Sequence, residues 1–369
     1  MSAGARTGFY FDERTFWHGG GNYASLLPVG GFVEPLVAGG LPEGPEAKRR
    51  LKSLLDVSGL MGQLAPTGAD PATGEELRRV HDPEYLRRFK ALSDEGGGEI
   101  GLRAPFGPGG YEIAALSAGL AVAAVRDVLS GGLANAYALC RPPGHHCLPD
   151  WPNGFCLLAN IAIAVEAALA EGRAGRVAVL DWDVHHGNGT EAIFHDRAEV
   201  LTVSIHQERN YPLDTGAFDD RGEGAGLGAN LNIPLPPGAG HVAWMAAMER
   251  LALPAIESFA PDLIVVASGY DAALVDPLGR MVLSAASFRA MTEATMAVAD
   301  RVSRGRLVLV HEGGYSEVYA PFCGHAAIAA LAGAEGLEDP FGAAVEARQP
   351  AVDVDRFLLQ RIEAMAAAL

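Results

Sequence analysis

Val177-Ala178-Val179-Leu180-Asp181-Trp182-Asp183-Val184-His185-His186-Gly187-Asn188-Gly189 is the stretch on which the fold turns. Arg176 to Leu180 is a short, valine-rich apolar run, the pattern of a strand buried on both faces in a parallel sheet. Two carboxylates and two imidazoles follow at once, then glycines that allow a sharp turn. If the chain stays extended past Leu180, Asp181, Asp183 and His185 fall on one side. Asp183 and His185 can then grip one ion, with Asp181 behind them as a supporting acceptor.

Working outward, the same strand, loop, helix pattern repeats. Thr7 to Phe11 reads as a first strand and Gly19 to Pro45 as a long Gly- and Pro-rich loop. Glu46 to Leu60 and Glu75 to Leu92 are helical by period, the second broken at Val80-His81-Asp82-Pro83. Asp94 to Glu99 reads as a flexible acidic loop, and Glu112 to Leu129 as an amphipathic helix. Strands are expected at Ala136 to Cys140, Val200 to Ile205, Leu263 to Ala267 and Arg306 to Val310. Helices are expected at Ala159 to Ala170, Val242 to Phe259 (kinked at Pro254) and Ala286 to Val302. No repeat or linker interrupts the pattern, which predicts one α/β domain with a mostly parallel sheet. Each of five strands releases polar residues at its C-terminal end, and in a parallel sheet those ends share one edge, where ligands bind. His145, His146, Asp183, His185, His206, Asp271 and Tyr315 are thereby expected to converge.

The bulk properties narrow the function. A chain of 369 residues can bury a large core. With 28 basic and 45 acidic residues its net charge is −17, which argues against a nucleic-acid surface and favours cationic substrates. Cys140, Cys147, Cys156 and Cys323 show neither a zinc-knuckle spacing nor a disulfide framework. The N-terminus lacks the apolar core of a signal peptide, and no apolar run reads as membrane-spanning. A reducing, cytoplasmic setting is expected.

Asp183, His185 and Asp271 make a three-ligand set with a position left open, the arrangement of catalytic zinc; its oxygen-rich character also admits iron(II) or cobalt. His145 and His146, on a Pro-Pro-Gly loop, offer two imidazoles, one to move a proton from water to a leaving amine. Asp181 and Asn188 are the acceptors available to fix their tautomers. Tyr315, on a Gly-Gly turn, offers a donor to a developing oxyanion. Phe155 and Tyr211, in loops after Gly154 and before Pro212, could pack in the core or flank a narrow channel for an alkyl chain. Together these parts describe hydrolysis of an unactivated amide.

Arg-Pro-Pro-Gly-His145-His146, Asn153-Gly154-Phe155-Cys156, Asp181-Trp-Asp183-Val-His185-His186-Gly-Asn188-Gly, Gly-Tyr-Asp271-Ala and Glu312-Gly-Gly-Tyr315 resemble the zinc-dependent histone deacetylase family. The likeness runs from about Thr7 to the C-terminal helices, and is greatest to the class II branch and its bacterial deacetylase-like amidohydrolases. It implies a single catalytic domain over 1–369, with a central eight-stranded parallel sheet flanked by helices. It implies zinc on Asp183, His185 and Asp271, with His146 as general base and acid and His145 as an electrostatic partner held by Asp181. Tyr315 would polarise the acyl carbonyl, Phe155 and Tyr211 would wall the tunnel, and Gly154 would face the substrate chain. Asn188 stands where the class I branch has an aspartate. A potassium or sodium site would use the Asp181, Asp183, His185 and Ile205 carbonyls with the Asp181 carboxylate and Ser204 hydroxyl. A second would use the carbonyls of Phe194, Arg197 and Val200.

The implied substrate is an acylated lysine or another small N-acyl amine, with no nucleic-acid or membrane partner and with homo-oligomers allowed. Two-manganese ureohydrolysis on the same fold lacks ligands, because Gly187 and Ala273 stand where the second metal needs carboxylates. A non-catalytic acyl-lysine reader would not need Tyr315 and both histidines. The remaining alternative is an acetylpolyamine amidohydrolase. Polyamine-selective class II relatives carry a glutamate after an Asp-Pro pair, whereas Leu278 follows Asp276-Pro277 here.

Overall fold

A computed structural model describes residues 6–19, 23–24, 26–28 and 41–369. The long loop expected over Gly19 to Pro45 lies largely outside these residues. The Val177–Asp181 run is a strand with every residue buried, as expected of a run without polar alternation. It belongs to an eight-stranded sheet, whose strands in chain order are β1 (Gly8–Tyr10), β2 (Ala65–Thr67), β3 (Asn135–Ala138), β4 (Val177–Asp181), β5 (Val200–Gln207), β6 (Asn230–Leu235), β7 (Leu263–Ser268) and β8 (Leu307–His311). Across the sheet they run β6-β5-β4-β7-β8-β3-β1-β2, and every pairing is parallel.

The interior strands send alternate residues into two cores. Ala178 and Leu180 of β4, Ile264 and Val266 of β7, and Leu307 and Leu309 of β8 enter one of them, with Leu51, Phe288 and Ile328 from helices. Val177, Val179, Val265 and Val308 enter the other, with residues of Gly110–Ser130 and Asn160–Ala170. Each fully buried aliphatic side chain contributes roughly 1.5–3 kcal/mol.

Four expectations are corrected. β2 and β6 were not foreseen; they are the two edges of the sheet, and each contains a proline (Pro66, Pro234) that only an edge strand tolerates. Gly110–Ser130 was expected to be amphipathic and no run to be of membrane-spanning character, yet this 21-residue helix is long and apolar enough by composition. It is apolar all round because it is buried between the sheet and its neighbours, not because it meets lipid. The acidic loop near Asp94 is partly ordered, for Gly98–Glu99 pairs antiparallel with Pro105–Phe106. The helix from His241 is disturbed one turn before Pro254, at a wide turn over Met248–Ala252, since proline offers no N–H to the carbonyl behind it.

The topology positions the site. β4 and β7 are neighbours, but the chain leaves them in opposite directions, β4 towards β5 and β6, β7 towards β8. Their C-terminal loops therefore diverge and leave a crevice at the sheet edge.

Candidate active site

β4 ends at Asp181, and the chain then bends instead of staying extended. Side chains hold the bend. Asp181 Oδ1 accepts the Asp183 N–H at 3.0 Å, and Asp183 Oδ1 accepts the His185 N–H at 3.0 Å. The strand-alternation argument for these three residues thus fails, and local side-chain-to-backbone bonds replace it. Asp271, just past β7, crosses the crevice to accept the Val184 N–H at 2.8 Å, while Gly313, just past β8, donates its N–H to Asp183 Oδ2 at 2.8 Å.

These bonds bring Asp183, His185 and Asp271 together, with one ligand atom of each within 4.8 Å of the others. His185 Nδ1 lies 3.0 Å from Asp183 Oδ1 and 3.1 Å from Asp271 Oδ2. All three are buried, and Asp271 Oδ2 has no hydrogen-bond partner among the described residues. The approach is so close that a Cβ at Gly313 would come within 2.1 Å of Asp271 Oδ2, and one at Gly269 within 2.1 Å of Asp183 Oδ2. Burial and then the Asp183 carboxylate push the Asp271 carboxyl up to about 8. Burial opposes charge on His185, but Asp271 and Asp183 outweigh it and raise the imidazole to about 10. Two buried carboxylates, one imidazole and an unpartnered oxygen fit a divalent cation.

His145 and His146 follow β3, with ring centroids 4.0 Å apart. His145 Nδ1 donates to Asp181 Oδ2 at 2.9 Å, and His146 Nδ1 donates to Asn188 Oδ1 at 2.8 Å. Both acceptors are the ones named from sequence. Burial disfavours charge on His145, yet Asp183 and Asp181 raise it to about 10. Burial, then His145 and His185, hold His146 well below the usual histidine value. The surroundings thus push the two imidazoles apart, His145 towards its charged form and His146 towards its neutral one.

A cavity of about 440 Å³ reaches this centre at His185 and is lined also by His146, Gly154, Phe155, Tyr211 and Tyr315. Phe155 meets Tyr315 edge-on at 5.6 Å, and Tyr211 meets His146 edge-on at 5.0 Å. Burial, then the Asp271 and Asp183 carboxylates, hold the Tyr315 phenol well above its usual value, so it stays a donor. Leu278 lines the same cavity. His206 does not line it; its ring lies tilted against that of His186 with centroids 4.8 Å apart, and Nε2 donates to the Gly216 carbonyl at 3.1 Å.

Some residues of the expected monovalent-cation sites are neighbours along the chain or across the sheet. Asp181 and Ser204 are register partners on β4 and β5, with Ile205 next along, and Ser204 Oγ bonds His206 Nδ1 at 2.9 Å. Phe194 and Arg197 share a turn, the Arg197 N–H donating to the Phe194 carbonyl at 3.0 Å, and Val200 opens β5.

Some supports carried no assigned role in the sequence. Glu312 Oε2 accepts the N–H groups of Gly144 and His145 at 2.7 and 3.1 Å, fixing the histidine loop. Asn153 donates to the His146 carbonyl at 2.6 Å and accepts from the Tyr211 hydroxyl at 3.1 Å. Asp276 accepts the N–H groups of Tyr315 at 2.7 Å and Leu278 at 2.8 Å, joining two rims. The signals were the Glu312-Gly-Gly-Tyr315, Asn153-Gly154 and Asp276-Pro277 pairings themselves, each a polar residue beside a turn former. Arg103 and Arg280 on the cavity also carried no assigned role, although Arg280 too follows a turn former, Gly279.

A parallel sheet with a carboxylate–imidazole–carboxylate cluster, two paired histidines and a buried phenol at its C-terminal edge is the frame in which the comparisons with known proteins fall. Residues 41–331 match the histone deacetylase domain, and the chain belongs to the histone deacetylase family. It is 57% identical over 363 residues to a histone deacetylase-like amidohydrolase of Pseudomonas aeruginosa, covering 98% of this chain and 96% of that one. A probable deacetylase of Archaeoglobus fulgidus is 38% identical, covering 79% and 82%. The crystal structure of the HDA15 HD domain superposes with a TM-score of 0.82 at 30% identity, covering 98% and 96%.

Proposed function

We propose that this chain is a zinc-dependent deacylase that removes acetyl or other acyl groups from N-acyl-lysine side chains or similar N-acyl amines, acting in the cytoplasm with a structural potassium or sodium ion. The observation that carries this is the Asp183–His185–Asp271 cluster beside a cavity whose lining includes His185, His146 and Tyr315.

Zinc held by Asp183, His185 and Asp271 would supply Lewis-acid activation of water and of the acyl carbonyl. The chain's own residues do the rest. Phe155 and Tyr211 pack along the substrate's alkyl chain, and Gly154 leaves room between them; a Cβ there would lie 2.3 Å from His146 Cδ2. His146 takes a proton from the attacking water at Nε2 and passes it to the leaving nitrogen, with Asn188 holding Nδ1. His145, held by its bond to Asp181 Oδ2, steadies negative charge developing nearby. Tyr315 donates its hydroxyl hydrogen to the carbonyl oxygen as that atom becomes anionic.

The test is turnover of acetyl-lysine peptides against N-acetylputrescine. Leu278 gives the rim an apolar surface, and no carboxylate among the described residues lines the cavity to hold a second ammonium. The parent is expected to favour the peptide, and Leu278→Glu to shift kcat/KM towards the polyamine by about tenfold, the worth of one partly shielded ion pair. A parent that strongly prefers the polyamine, or a variant with no shift, would refute the substrate assignment.

A further inference from the structure

A chain of net charge −17 places two arginines on its substrate cavity. Arg103 is half-buried, with its guanidinium 5.8 Å from the centroid of the Tyr211 ring. Its own backbone is fixed in the left-handed region (φ 55), and its carbonyl accepts the Phe155 N–H at 2.8 Å. Arg280 is exposed across the opening, held by Nη1 donating to the carbonyls of Pro277 at 3.0 Å and Gly279 at 2.6 Å. Its backbone N–H donates to Gln207 Oε1 at 2.8 Å.

Neither guanidinium has an ion-pair partner among the described residues. Glu99, the acid nearest Arg103 in sequence, accepts the Ala104 N–H at 3.1 Å. The Arg280 bonds use only Nη1, so Nε and Nη2 remain available as a fork of donors. Arg103 also borders a second, shallower groove that shares Asn210 and Tyr211 with the cavity and carries the exposed Leu102, Trp151 and Leu213. Arg103 is half-buried and Arg280 exposed, whereas His146 and His185 on the same cavity are buried, which puts the two arginines on its solvent side. Anything anchored by them is the far end of the amine part of the substrate, not its acyl group.

We propose that Arg103 and Arg280 select substrates bearing a carboxylate on the amine part, about a lysine side chain away from the scissile amide. The charge at the mouth opposes that of the chain as a whole, so the cationic preference expected from composition is reversed where substrate enters. Two sources share this chemistry: an acidic residue flanking an acyl-lysine in a polypeptide, and the α-carboxylate of a free acylated amino acid. The proposal rests on the deacylase function above.

The experiment compares kcat/KM for four substrates in the parent and in Arg103→Gln/Arg280→Gln. These are an acetyl-lysine peptide flanked by Asp and Glu, its Asn and Gln counterpart, free Nε-acetyl-lysine, and the carboxamide of that amino acid. In the parent the acidic member of at least one pair is expected to be favoured about fivefold or more, an advantage that shrinks as salt is raised. In the double variant that ratio falls towards one. A preference in the peptide pair alone assigns a polypeptide, and one in the other pair assigns a free amino acid. Ratios near one in the parent, or ratios the double variant leaves unchanged, overturn the proposal while leaving the deacylase function intact. A parent inert towards all four but active on N-acetylputrescine overturns the proposal and the acyl-lysine assignment with it, and one inert towards all five overturns the deacylase function as well.

Discussion

Removing metal from the purified protein with a chelator is expected to abolish amide hydrolysis, and zinc added back in stoichiometric amount to restore it. Asp183, His185 and Asp271 converge from loops after β4 and β7, all of them buried. Gathering two carboxylates out of water is costly unless a cation neutralises them. The strain is visible in Asp271, whose carboxyl burial and Asp183 together push up to about 8. Zinc would take the place of the protons that otherwise balance this charge, so its binding also stabilises the fold, by about 2.7 kcal/mol at a hundredfold excess over Kd. Asp271→Asn separates charge from packing. The amide keeps the volume and an oxygen for the Val184 N–H, which donates to Oδ1 at 2.8 Å in the parent, but it lacks the second anionic oxygen. This variant is expected to fold, to hold much less zinc by elemental analysis, to lose the zinc-induced rise in Tm, and to show only background turnover. Full activity in protein verified to be metal-free would end the zinc assignment.

The legibility of the sequence differed from one part of the molecule to another, for identifiable reasons. β4, β7 and β8 were readable because strands covered on both faces are unbroken Val, Leu and Ile runs. β2 and β6 were not, because an edge strand needs only one ladder and so admits Pro66 and Pro234 and the polar Asn230 and Asn232. The partners of the two histidines could be named as Asp181 and Asn188, since each imidazole needs an acceptor and the same short motif supplied two. The bend at Asp183 was missed, because periodicity says nothing of a carboxylate folding back on the N–H two residues ahead. His206 sits at a strand end like the others, but β5 lies one strand further from the crevice than β4, and its side chain turns to His186. The clamps made by Glu312 and Asp276 depend on loops from distant strands meeting, which local patterns do not encode.

Tyr315→Phe is expected to lower kcat by about 10²–10³ while KM and Tm change little, the cost typical of one lost oxyanion donor. The ring is held by packing, not by its hydroxyl. It meets Phe155 edge-on at 5.6 Å and His185 at 6.4 Å, and its backbone N–H is anchored on Asp276 Oδ2 at 2.7 Å. Phenylalanine keeps every one of these contacts. What it loses is a phenol that burial and the Asp271 and Asp183 carboxylates keep protonated across the physiological range, so the donor is present at any working pH. In the ground state the carbonyl oxygen is neutral and the bond is modest; as the oxygen becomes anionic in a site shielded from water, the same bond strengthens. The loss should therefore fall on kcat, with binding of an unreactive substrate analogue nearly unchanged. A variant that turns over within a factor of two of the parent would mean that the metal alone stabilises the oxyanion and that Tyr315 is a wall of the tunnel. A large rise in KM with kcat preserved would place the hydroxyl in ground-state binding instead.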